Sequence, residues 1–136
     1  MKVVIDTNIL IASILKDSIV RKILLSENID FFTPEHGITE INKYKDEIIT
    51  KAEISSEDFE ILLAILLENI EILPQDIIQS KMNEAKKIMD IIDSKDTPFI
   101  AAALALPADG IWTFDADFNK QKEVKTFSTK ELAAII

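Results

Sequence analysis

At 136 residues and 48% hydrophobic composition, the chain is long enough to bury a core and too apolar to stay disordered. It has no cysteine, which excludes a disulfide framework and a thiolate metal site. Apolar runs such as 61–67 are too short to cross a bilayer. A formal net charge of −9 argues against holding nucleic acid by bulk electrostatics, but a bound cation or a local basic strip can still serve a nuclease. One domain over residues 1–136 is expected. The N-terminus reads as a strand rather than a cleavable signal, so a cytoplasmic location is the default.

Residues 2–6 read as a strand in which Val3, Val4 and Ile5 are consecutively apolar and Asp6 closes the run, the pattern of a strand covered on both faces. Helical spacing follows over 8–16 and 18–26, with Ile9, Ala12, Ile19 and Ile23 facing the core. A short second strand spans 30–32. Thr33-Pro34 reads as a hydroxyl cap and a first-turn proline, opening a helix that runs to about Lys51. Ser55 or Ser56 caps the next helix, which carries the apolar run 61–67. A third strand covers 70–73 and stops at Pro74. A helix over 75–91 and another opened by Asp96-Thr97-Pro98 follow. Gly110 introduces a fourth strand through Phe114, and 125–127 is a fifth. Ser128-Thr129-Lys130-Glu131 is a capping box for a terminal helix. Strands alternating with helices predict a three-layer α/β/α fold around a parallel sheet of about five strands.

Four acids are spread along the chain, Asp6, Glu40, Asp96 and Asp115, and three of them, Asp6, Asp96 and Asp115, stand where this pattern leaves a strand or opens a helix. Taken one at a time, an Asp at such a place is most often a cap or a favourable charge at a helix dipole, and Glu40 alone reads as a solvated helix residue. In a parallel α/β sheet, however, the strand C-termini emerge on one edge, where distant acids can converge. Converging carboxylates without cysteine suit a hard divalent cation. The one histidine, His36, rules out a two-histidine acid–base mechanism within one chain and reads as an exposed helix-start residue.

The words around these acids resemble the PIN domain family of metal-dependent ribonucleases, which includes the toxins of VapBC-type pairs. Val3-Val4-Ile5-Asp6-Thr7-Asn8-Ile9-Leu10 is similar to that family's first motif and Ile38-Thr39-Glu40-Ile41 to its second. Asp93-Ser94-Lys95-Asp96-Thr97-Pro98-Phe99-Ile100-Ala101-Ala102-Ala103-Leu104 is similar to the third, and Ile111-Trp112-Thr113-Phe114-Asp115-Ala116-Asp117-Phe118 to the fourth. The resemblance implies that Asp6, Glu40, Asp96 and Asp115 are catalytic and bind Mg²⁺ or Mn²⁺. It implies hydrolysis of single-stranded RNA by metal-activated water, with the charge on the leaving 3′ oxygen offset by cation. It also implies a homodimer and, for a toxin, an antitoxin partner. An RNA-processing nuclease without an antitoxin and a non-catalytic binding module of the same fold are the alternatives. A receiver-like domain would need adjacent acids after its first strand, and a dehalogenase-type phosphatase an Asp-x-Asp; Asp6-Thr7-Asn8 offers neither.

Five residues are expected in supporting roles. Thr113 precedes Asp115 by two positions, so strand periodicity puts both on one face and lets its hydroxyl orient the carboxylate or a water. Thr7 and Asn8 can bond around Asp6 and cap the first helix. Asp93 and Asp117 are close enough in sequence to be outer ligands or ordinary solvated charges. Leu62, Leu63, Leu66 and their neighbours read either as plain core or as a dimer face.

Overall fold

Among the described residues of the computed structural model, 1–15 and 18–136, five strands form one parallel sheet in the order β3-β2-β1-β4-β5. The strands are β1 (Lys2–Ile5), β2 (Asp30–Pro34), β3 (Ile70–Leu73), β4 (Gly110–Trp112) and β5 (Thr126–Phe127). From β1 the chain builds outward through β2 to β3, then crosses back to place β4 on the other side of β1. That crossing makes β1 and β4 the switch point of the sheet, where an α/β fold opens a crevice at the strand C-termini.

Alternation along the strands divides the core into two layers. Val3, Ile5, Phe31, Ile70 and Trp112 pack on one face with α1 (Thr7–Ile14), α2 (Ser18–Leu24), α5 (Ser56–Leu67) and α9 (Thr129–Ala133). Val4, Phe32, Leu73 and Ile111 pack on the other with α6 (Gln75–Gln79), α7 (Met82–Asp93) and α8 (Thr97–Ala105). A sheet buried on both sides explains why residues 3–5 are all apolar with no polar alternation.

The helix between β2 and β3 differs from the expected single element. Thr33 and Pro34 belong to β2, because the Thr33 hydroxyl donates to the Ile5 carbonyl (3.1 Å) across the sheet instead of capping a helix. Pro34 precedes α3 (Glu35–Lys43) without a side-chain cap, and Tyr44, at φ −97° and ψ 10°, turns α3 into α4 (Lys45–Ala52). The stretch expected as one helix over 75–91 is likewise two, α6 and α7. There the Ser80 hydroxyl donates to the Ile77 carbonyl (2.6 Å), a local bond that competes with the helical ladder. Ile19 is exposed while Val20, Ile23 and Leu24 fill the core, so the buried stripe of α2 is shifted by one residue from the expected one. Lys16, the expected end of the first helix, lies outside the described residues.

In α5, Leu63 and Leu66 are core with Phe59, whereas Ile61 and Ile65 stay exposed. Ser55 is its cap, accepting from the Asp58 N–H (2.9 Å), and the capping box at Ser128 and Glu131 is formed in both directions. The two edges of the sheet are short. β5 has two residues, and β3 has four, with Glu71 and Ile72 exposed and Pro74 following.

Gly110 lets β5 close on β4: a Cβ there would sit 2.7 Å from the Lys125 carbonyl oxygen and 2.6 Å from the Phe127 ring. Gly110→Ala should therefore lower stability by about 1–3 kcal/mol, read as a lower thermal midpoint. An unchanged midpoint would show that β5 can move aside freely.

Candidate active site

Asp6 leaves the C-terminal end of β1 and is only 4% exposed. Its two oxygens are engaged separately. Oδ1 accepts from the Ile9 N–H (3.2 Å), so Asp6 is the cap of α1, and Oδ2 accepts from the Thr113 hydroxyl (2.5 Å). The same Thr113 oxygen accepts the Asp115 N–H (2.9 Å). Thr113 follows β4, whose Trp112 pairs with Ile5, so the two strand ends meet by register. The Thr113 hydroxyl thus holds the carboxylate of Asp6 and the backbone of Asp115. Asp115 in turn caps a 3-10 turn, accepting from the Asp117 N–H (2.9 Å).

Glu40 projects from α3, where its Oε1 accepts from the Thr7 hydroxyl (2.6 Å). Thr7 thus serves Glu40, while the cap of α1 is Asp6 itself. Gly37, one turn before Glu40, permits the approach: a Cβ there would lie 2.7 Å from the Thr33 hydroxyl oxygen and 3.7 Å from that of Thr7. Asn8 is exposed and lines the cleft mouth. His36 is not the free surface residue expected. Its ring meets Phe99 edge-on (5.8 Å between centroids), and its Nε2 is buried 3.4 Å from Glu40 Oε1.

Asp96 occupies the cap position of α8 yet makes no side-chain cap bond. Its Oδ2 is buried with no hydrogen-bond partner. One oxygen from each of Asp93, Asp96, Asp115 and Asp117 falls in a cluster with all atoms within 4.8 Å of one another. Asp6 and Glu40 stand outside that tight cluster but share a cleft of about 410 Å³ with Asp93, Asp96 and Asp115. Asp117 is partly committed elsewhere, with Lys120 Nζ at 2.8 Å from its Oδ1. Asp93 accepts from the Lys95 N–H (3.0 Å), which folds the turn leading to Asp96.

Burial and mutual repulsion disturb these acids. Burial, opposed by the Thr113 and Ile9 bonds and reinforced by Asp115 and Glu40, raises the Asp6 pKa from 3.8 to about 6. Burial, then the charges of Asp93 and Asp115, raises that of Asp96 from 3.8 to about 7. An all-oxygen donor set with one buried, unpartnered carboxylate oxygen fits a hard divalent cation.

Three further lining residues, Tyr44, Glu47 and Lys51, went unmarked in the sequence. Their spacing from Glu40 places 40, 44, 47 and 51 on one helical stripe, a signal available once Glu40 is taken as a site residue. The break at Tyr44 leaves that stripe on the cleft.

A parallel α/β sheet with clustered carboxylates at its switch point defines the class, an α/β domain with an acidic site. The PIN domain family model matches residues 4–134, and the chain belongs to that family. Among solved structures, the chain is similar to one in VapBC2 from Rickettsia felis bound to a DNA fragment from their promoter. The likeness has a TM-score of 0.74 at 18% identity and covers 94% of this chain and 98% of that one. No curated protein matches the chain in sequence.

The raised pKa values set a pH dependence for the cation-free protein. Between about pH 4 and 7 the folded chain holds protons that the unfolded chain has released, so stability should fall as pH rises through that window and level off above it. Asp96→Asn, which sacrifices no cap bond, should raise the cation-free melting point at pH 8 by about 3–5 °C and flatten the slope. A lower melting point for the variant would mean that the Asp96 charge stabilises the fold as a cap.

Proposed function

We propose that the chain is a Mg²⁺- or Mn²⁺-dependent endoribonuclease that hydrolyses single-stranded RNA. The observation that carries this reading is the carboxylate cluster at the β1/β4 switch point, with the Asp96 Oδ2 buried and unpartnered. Asp96 and Asp115, which belong to that cluster, would hold the cation together with Asp6 and Glu40 across the cleft, and Asp93 and Asp117 of the cluster would add further oxygens. A bound divalent cation supplies activation of water and neutralisation of phosphate charge.

The remaining tasks fall to the chain's own groups. Thr113 and the Ile9 N–H fix both oxygens of Asp6, so that carboxylate enters the reaction already oriented. Thr7 does the same for one oxygen of Glu40 and leaves the other free. Lys51 and Lys95, which line the cleft, offset part of the acid charge where a phosphate would enter.

The toxin role in a toxin–antitoxin pair is supported by the fold shared with the VapBC2 structure, and it brings an antitoxin as the partner that blocks the cleft. A homodimer is supported by the exposed Ile61 and Ile65 on α5. No helix among the described residues is long and apolar enough to cross a membrane.

Purified protein should cleave single-stranded RNA with Mg²⁺ or Mn²⁺ and stop on addition of EDTA. Asp6→Ala and Asp96→Ala should each reduce cleavage by at least about 100-fold without altering the circular-dichroism spectrum. Cleavage that survives EDTA or both substitutions rules out the metal mechanism. Sedimentation at micromolar concentration should report a dimer that Ile61→Lys with Ile65→Lys dissociates; a monomeric wild type would leave those isoleucines as ordinary surface.

A further inference from the structure

Seven phenylalanines, one tryptophan and one tyrosine make up the aromatic residues of the chain. Six phenylalanines and Trp112 are buried, at 8% exposure or less; Phe114, at 51%, and Tyr44, at 37%, are not. Both exposed rings are at the acid site. Tyr44 lines the cleft with Glu40, Lys51 and Asp115. Phe114 lies between Thr113 and Asp115 and lines a second recess of about 340 Å³ that shares Asp115 with the cleft. Random surface placement gives no reason for this coincidence. A phenylalanine half exposed beside a set of carboxylates loses the burial that its six counterparts gain.

The charge of the chain sharpens the question. With a net charge of −9 and an acid-lined cleft, a polyanion cannot be gathered by electrostatics alone. Unpaired nucleobases offer another handle, since every base has a π-face that stacks on an aromatic ring whatever its sequence. Tyr44 also carries a cation against its ring, with Lys43 Nζ 5.6 Å from the centroid, which places a phosphate partner next to a stacking surface.

We propose that Phe114 and Tyr44 are stacking platforms for unpaired RNA bases, one in each of the two recesses that meet at Asp115. This rests on the nuclease reading above and supplies the part of it that the acids cannot, a preference for single strands. In a duplex the base faces are already stacked and neither ring can reach them. Lys51 and Lys95 then contact phosphates of the same strand where it crosses the cleft.

The test uses the full chain with Asp96→Asn, so that RNA is bound without being cut, and single-stranded RNA of about ten nucleotides carrying 2-aminopurine. With Mg²⁺ present, binding should quench the probe. Phe114→Ala and Tyr44→Ala should each weaken binding about tenfold and reduce the quench, while Phe114→Trp and Tyr44→Trp restore both. Binding to an RNA duplex should be weak and equal in all variants. In the otherwise wild-type chain, the alanine substitutions should raise KM more than they lower kcat. Unchanged RNA affinity and quench in both alanine variants would overturn the proposal and leave the rings as docking groups for a protein partner. So would failure of the chain to bind single-stranded RNA. If RNA is bound with the expected pattern but never cut by the wild type, the nuclease reading fails and the platforms stand.

Discussion

The hydrogen bond from the Thr113 hydroxyl to Asp6 fastens the end of β4 to the end of β1, on either side of the sheet's switch point. Much of the site's geometry depends on it. The apolar strands force a sheet covered on both faces, and that cover buries the first acid as soon as β1 ends. A buried carboxylate is costly unless hydrogen-bonded, and Thr113 supplies the bond. Because the same oxygen accepts the Asp115 N–H, the position of the fourth acid is tied to the orientation of the first. The third acid arrives from the opposite layer, where Ile100, Ala101, Ala102 and Ala103 of α8 pack against Val4 and Ile111 and so hold Asp96 at the sheet edge. Small alanines allow that close helix–sheet contact.

What could be read from the sequence was whatever is encoded locally. The run 3–5 identifies a doubly covered strand, and the serine–glutamate pair at 128 and 131 identifies a helix start, because each depends on neighbours a few residues away. The words around the four acids were legible for the same reason. Thr33 was misread because its hydroxyl serves a carbonyl 28 residues earlier, on another strand. A local pattern of hydroxyl then proline cannot distinguish that use from a helix cap. Strand periodicity relates Thr113 to Asp115 two residues on but cannot show its bond to Asp6, 107 residues away. The close approach at Gly37 and the burial of His36 Nε2 beside Glu40 arise only once α3 is laid against the ends of β1 and β2.

Caps and site residues turn out to be overlapping categories. Asp6 and Asp115 line the acidic cleft and are also caps, each with one oxygen given to a backbone N–H. Asp96 does not, and its free oxygen is the one in the least comfortable surroundings. Capping offsets only part of the cost of burying Asp6, whose pKa still stands at about 6, and Asp96 has no cap bond to offset its own. Such a group contributes to folding only through what binds it, so occupancy and stability become linked quantities.

The short edges of the sheet bear on how one copy of the protein can meet another. A strand edge is a template for another chain, and its hazard grows with the length of exposed backbone. Here one edge presents two residues and the other four, the latter carrying Glu71 and followed by Pro74, which has no N–H to offer. Neither edge gives an incoming strand a run long enough to zip onto. At either edge the sheet therefore gives the backbone of a neighbouring chain little to pair with.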